Sequence, residues 1–295
     1  MSFHRRPHPS HLGQLAAAAL GGALVGVLFT RNFLETGKKI QHLLDPDYGA
    51  GDPAFVRSMS QLLGPPLLEG NQVRLLNNGS EIFPAMLRAI RSARRTITME
   101  NFVWAEGQIA WDFADALAER ARAGVSVHFL QDALGCSNLH TGSMAFLKDS
   151  PVEVEIFRFL QLTRMNFRTH RKLLTIDGKV GFIGGVAISD AWDGNGDQPD
   201  IWRDTHYHVE GPVVGQLQQA FTENWMQTRA VLLHGDEYFP KLEPAGDDVC
   251  QVFKSQASEG SDGARVMLLL SIAAARKSIR IANAYFIPDE LTIRT

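Results

Sequence analysis

His170, Lys172 and Asp177 are spaced H-x-K-x-x-x-x-D, and Gly184-Gly185 follows shortly after. An ammonium group offers phosphate oxygens a fixed positive charge. An imidazole beside it can attack phosphorus and split one displacement into two, and water or an alcohol then resolves the phosphohistidine. Cationic side chains and amides suffice for such a site, so no metal and no cofactor is expected. Taken singly, His170 is an ordinary strand histidine, Lys172 a solvated strand charge and Asp177 a turn residue. The reading rests on their joint spacing.

A β-hairpin must position these groups. Lys172–Ile176 and Lys179–Ile183 are apolar runs on either side of Asp177-Gly178, which predicts a two-residue turn. In that register Ile176 faces Lys179, Lys172 faces Ile183 and His170 faces Gly185. Residues two apart on a strand share a face, so His170 and Lys172 project together and Arg171 points the other way. Gly184 and Gly185 leave room opposite, where backbone N–H groups can approach a ligand closely.

Around the hairpin the spacing of apolar residues predicts strands at Val73–Leu76, Thr96–Trp104, Val125–Leu130, Val152–Phe157 and Arg203–Val209. Helices are expected over Glu81–Arg94, with Ser80 as N-cap and Pro84 in the first turn, over Ile109–Arg122 and over about Val214–Arg229. Strands and helices alternating in this way imply an α/β fold with parallel pairing.

The 295 residues, 45% hydrophobic and 21% charged, allow a large core and one or two domains. A net charge of −3 argues against a general grip on nucleic-acid backbones. Cys136 and Cys250 fit no metal or redox spacing and read as buried or incidental thiols. Leu15–Thr30 carries no charge and has Arg5, Arg6 and Arg31 around it, which suggests a membrane anchor. A signal peptide and a buried helix are the competing readings, and the flanking charges give no orientation. The expected organisation is a membrane segment over 1–35, a linker over 36–70, a first half over 71–240, and a link plus the start of a second half over 241–295. The last expectation comes from a repeat: Ala93–Asn101 (ARRTITMEN) resembles Ala275–Asn283 (ARKSIRIAN), and only the beginning of the second copy is visible.

His170 through Asp177 with Gly184-Gly185 resembles the motif of the phospholipase D superfamily. The stretches Ile82–Ile97, Phe113–Asp132 and Trp202–Trp225 resemble bacterial cardiolipin synthases. The resemblance implies a mixed β-sheet flanked by helices, an N-terminal membrane helix, a bacterial cell-membrane location and a phospholipid substrate. It implies that His170 is the nucleophile or its acid/base partner, that Lys172 and the amides of Gly184 and Gly185 bind phosphate, and that Asp177 orients the motif, a structural role being as well founded as a catalytic one. Asp204, His206 and Glu100 are candidates to support the cleft. Ala187 stands where the family usually has asparagine, and a single motif is visible where the family uses two, one histidine attacking while the other protonates the leaving alcohol. A homodimer or a further C-terminal half would complete the site. The alternatives are a single-motif dimeric phosphodiesterase or nuclease, and an inactive fragment that binds phosphate-bearing partners.

Overall fold

The computed structural model describes residues 11–33, 40, 42–136, 140, 142–157, 168–254, 263–283 and 285–295. Helices α1 (His11–Phe33) and α2 (Pro53–Leu62) come first. Strand β1 (Leu68–Asn77), helix α3 (Asn78–Ser92), strand β2 (Thr96–Asn101), helix α4 (Gln108–Arg122), strand β3 (Ser126–Asp132), helix α5 (Gly142–Lys148) and strand β4 (Glu153–Phe157) follow. The hairpin is β5 (Leu173–Ile176) and β6 (Val180–Gly184). Strand β7 (Thr205–Glu210), helix α6 (Val214–Arg229), strand β8 (Asp248–Cys250) and helices α7 (Gly263–Ala274) and α8 (Glu290–Arg294) complete the order.

The strands form one mixed sheet in the order β4-β3-β2-β5-β6-β7-β1-β8. Among the described strands only β2, β3 and β4 pair in parallel. Strand β1 does not join them, although the alternation of elements predicts that it should. It runs antiparallel to β7, with Leu76 opposite His206, so β5, β6 and β7 separate it from β2. The expected link after residue 240 also contributes: β8 adds to the sheet by pairing with β1. Part of that link, 255–262, lies outside the described residues.

Strand alternation divides the core in two. On one face Ile97 and Met99 of β2, Val127 and Phe129 of β3 and Leu174 and Ile176 of β5 meet the apolar stripes of α3 and α4, including Ile82, Phe83, Phe113 and Leu117. On the other face Leu130, Leu173 and Val209 pack on Leu217, Phe221 and Trp225 of α6. Helix α3 starts earlier than its apolar pattern suggests, because the Asn78 and Ser80 amides donate to the carbonyls of Asp204 and Gly194. Asn77 rather than Ser80 precedes it, and Pro84 lies inside the helix. Helix α4 is capped from a distance: the Asp190 carboxylate accepts from the amides of Gln108 at 3.0 Å and Ile109 at 2.8 Å.

Two expectations change at the ends of the chain. The uncharged N-terminal run is helical, but among the described residues no helix is long and apolar enough to cross a membrane. Much of the run is Ala and Gly, which bury little apolar area per residue. The N-terminal membrane helix is therefore not supported as a span. Near the other end, α7 precedes 275–283 as α3 precedes β2, but 275–283 forms no strand. Ile279 and Ile281 there, and Tyr285, Phe286 and Ile287 beyond it, are exposed, whereas every residue of β2 is buried. Cys136 is buried and Cys250 partly buried.

Candidate active site

Residues 168–172 lead into β5 and lie outside the ladder, whose pairing with both neighbours ends at Leu173. Because β5 is antiparallel to β2, this segment arrives at the C-terminal ends of the parallel strands β2 and β3. Crevices of that kind commonly receive ligands in α/β sheets. Alternation carries over from Leu174 and Ile176 to His170 and Lys172, which share the α3–α4 side. Arg171 turns to the other side and donates from Nη1 to the Ala220 carbonyl of α6 at 2.7 Å.

His170 is exposed and Lys172 is buried. The Lys172 ammonium lies 3.1 Å from Nδ1 and 3.2 Å from Nε2 of His170, and donates to the His170 carbonyl at 3.0 Å. Phe102, just past β2, underlies both: its ring centroid is 4.6 Å from that of the imidazole and 5.3 Å from Nζ. Partial burial and then the Lys172 charge lower the His170 pKa, with the Asp132 carboxylate opposing. Both main causes favour the neutral ring, whose nitrogen lone pair is the nucleophile. Burial lowers the Lys172 pKa to about 8, and Asp204 acts against the shift.

The hairpin register differs by one residue from the expected one. Ile176 pairs with Val180 and Leu173 with Ile183, so Asp177, Gly178 and Lys179 all belong to the turn. Continued outward, this register sets Lys172 across from Gly184 and His170 across from Val186. The room beside the two glycines is also occupied. A Cβ on Gly184 would collide with the His206 ring and lie 2.7 Å from the Thr205 carbonyl oxygen. A Cβ on Gly185 would lie 2.6 Å from an Asp204 carboxylate oxygen. The glycines thus admit side chains of β7 and its approach, rather than flooring an open pocket.

Asp204 belongs electrostatically to the same cleft as Lys172. Its carboxylate is held by Trp192 Nε1 at 2.9 Å and by the Thr205 amide at 2.7 Å. His206 lies on the same face but beneath the surface. It is 1% exposed, neither ring nitrogen has a hydrogen-bond partner among the described residues, and burial lowers its pKa to about 3. Two candidates fall elsewhere. Asp177 is at the far end of β5, five residues from Lys172 or roughly 16 Å along a strand. Its carboxylate accepts from the amides of Arg94 at 3.0 Å, Arg95 at 2.7 Å and Thr96 at 2.9 Å, tying the turn to the start of β2. Glu100 is opposite Leu173 in the antiparallel pairing, hence on the α6 side, away from Lys172. It accepts there from Thr169 Oγ1, and from Asn224 Nδ2 of α6 at 2.7 Å.

Phe102, Asp132, Thr169 and Asn224 were not singled out from the sequence. Phe102 lies within the strand expected over Thr96–Trp104, which was the available signal; the others reach the segment only through tertiary packing. Ala187 is 1% exposed and brings no polar group. Among the described residues no group of three or more His, Cys, Asp or Glu is placed to hold a metal.

No family model matches the chain. Cardiolipin synthase A of Pseudomonas fluorescens is 34% identical over 241 residues, covering 80% of this chain and 50% of that protein. Cardiolipin synthase 1 of Bacillus cereus is 31% identical over 275 residues, covering 89% of this chain and 54% of that protein. The chain is cardiolipin synthase-like over most of its length. This cardiolipin synthase-like chain spans about half the length of the curated relatives it matches. Among solved structures it is similar to phosphatidylserine synthase of Haemophilus influenzae, with a TM-score of 0.44 and 16% identity over 59% of this chain and 40% of that one. It is also similar to Nuc of Salmonella typhimurium, a phospholipase D family member, with a TM-score of 0.43 and 18% identity over 54% of this chain and 97% of that one.

Proposed function

We propose that the chain catalyses phosphodiester transfer on phospholipids, a phosphatidyl transfer of the cardiolipin synthase kind, with His170 as the attacking group. The observation that carries this reading is the meeting of an exposed, neutral-leaning imidazole and a buried ammonium 3.1 Å apart at the strand ends. In the first step a ring nitrogen of His170 attacks phosphorus, the phosphorus–oxygen bond to one alcohol breaks, and that oxygen takes a proton from a general acid. In the second an acceptor alcohol gives its proton to the conjugate base of that acid, attacks phosphorus and breaks the phosphorus–nitrogen bond. Lys172 meets the non-bridging oxygens in both steps, in surroundings where low solvation strengthens the attraction.

The first step needs an acid, and His206 does not supply it. With a pKa of about 3 it holds almost no proton at neutral pH, and it has no access to solvent. We assign the acid to a second imidazole from another polypeptide segment, either a second copy of this chain or a further half of the kind that the repeat at 275–283 begins. The division into a first half over 71–240 and the start of a second over 241–295 belongs to the same proposal. The chain acts at a bacterial membrane, where the exposed Leu20, Leu24, Val25 and Val27 of α1 meet lipid.

The test is turnover on phosphatidylglycerol vesicles with an alcohol acceptor, together with an acid-labile phosphoryl label on His170. Wild-type protein supplied with the second imidazole should transfer and label, and His170→Ala should do neither while keeping its circular dichroism spectrum. Wild-type turnover in folded His170→Ala would refute the assignment.

A further inference from the structure

Nothing in the sheet ladder fixes His170, because the pairing of β5 with β2 and with β6 starts only at Leu173. Its two sequence neighbours are nonetheless held, both from the opposite side of the sheet. The Thr169 amide donates to Asp132 Oδ2 at 3.0 Å. The Thr169 hydroxyl donates to Glu100 Oε1, which also receives Asn224 Nδ2. Arg171 is tied to the α6 carbonyl of Ala220. Alternation then leaves the residue between them one direction for its side chain, out over Phe102 toward Lys172.

We propose that Glu100 is a positioning residue for His170, acting through Thr169 from the far side of the sheet; as a statement about catalysis this rests on the function proposed above. Glu100 is 1% exposed in a sheet interior where a carboxyl group is costly. Its Oε1 joins β2, α6 and the segment leading into β5. Asn224 Nδ2 also reaches Thr169 Oγ1 at 3.4 Å, closing a three-residue network. Burial raises the Glu100 pKa, with Arg171 acting against it. An acceptor oxygen rather than a full negative charge is what the network requires. Loss of the acceptor frees the Thr169 side chain and lets the backbone at His170 drift, and a misplacement of the order of 1 Å costs about 100-fold in rate.

Four variants separate positioning from simple core filling. Glu100→Ala and Thr169→Val remove the acceptor and the donor; Glu100→Gln and Thr169→Ser keep them. Turnover on phosphatidylglycerol vesicles should fall about 100-fold in kcat for the first two, with KM little changed, and should be largely retained in the second two. The second readout is independent of activity: the proton NMR titration of the His170 imidazole. In wild type it should lie below the ordinary histidine range, and in Glu100→Ala and Thr169→Val it should move up as the ring leaves Phe102 and Lys172. Should Glu100→Ala not fold, the nearly isosteric Thr169→Val decides. A titration unmoved in folded Thr169→Val would overturn the inference. A shifted titration in a chain that shows neither turnover nor a phosphoryl label on His170 would support the positioning and count against the proposed function instead.

Discussion

A lysine that is 8% exposed beside an imidazole sets a pH window for any chemistry at this site. Lys172, with its pKa near 8, carries its charge below that pH and loses it above. The rate on phospholipid vesicles should therefore decline as pH rises through about 8. In Lys172→Arg the alkaline limb should shift upward, at a lower absolute rate, because guanidinium stays charged but has a different shape. A pH profile of kcat/KM from 6 to 10 checks both expectations. His206 governs stability rather than rate. Its folded pKa of about 3 lies below the unfolded value near 6.5, so the unfolded chain takes up the proton first. The stabilising effect of keeping it neutral is complete above the unfolded value and is lost as pH falls toward the folded one. At about 1.4 kcal/mol per pH unit the loss reaches several kcal/mol. Urea midpoints measured from pH 7 to pH 4 should fall less steeply for His206→Leu than for wild type. Parallel slopes would show that another group carries the acid sensitivity.

Asp177 shows how one element holds the motif from the end away from the chemistry. It sits in the left-handed region at φ 52°, which Asp tolerates, and the turn continues through Gly178 at φ 62°. Asp177→Ala removes an acceptor shared by three amides and should cost about 2–4 kcal/mol. Asp177→Asn should recover part of that, and the rate per folded molecule should stay unchanged in both; thermal melts and active-site titration measure the two effects separately. The Asp-Gly turn was legible in the sequence because its conformational demand is local. The one-residue register shift was not, since it depends on Lys179 joining the turn. The common face of His170 and Lys172 survives the shift because it depends on β5 alone. By contrast, placing Glu100 requires the register between β2 and β5, two strands more than 70 positions apart in the chain. The same limit hid the order of the sheet. Helical and strand periodicity located β2, α4, β3 and α6, but nothing local reveals that β1 pairs with β7. The purpose of Gly184 and Gly185 was likewise readable only as a need for space. That His206 and Asp204 fill the space follows from β7 lying next to β6.

At the scale of the molecule the incomplete feature is the chemistry itself. A phosphoryl transfer through His170 needs a proton donor for the leaving alcohol, and the histidine nearest by strand alignment, His206, is buried and neutral. His128 is no substitute: it lies on the α6 side, with its Nε2 2.8 Å from the Tyr238 hydroxyl and its ring against Trp225. A donor from a second polypeptide makes activity depend on association. If that polypeptide is another copy of this chain, turnover per protomer should fall on dilution, in step with dissociation seen by sedimentation in mild detergent. An excess of His170→Ala chains should then depress wild-type activity by forming mixed pairs with only one competent imidazole. If the donor belongs to a different segment, isolated chains should acquire the phosphoryl label on His170 from an activated phosphodiester whose leaving group needs no proton, yet fail to turn over phospholipid. Full turnover by a monomer, constant on dilution and insensitive to added His170→Ala, would place the acid within these 295 residues and end the two-imidazole scheme.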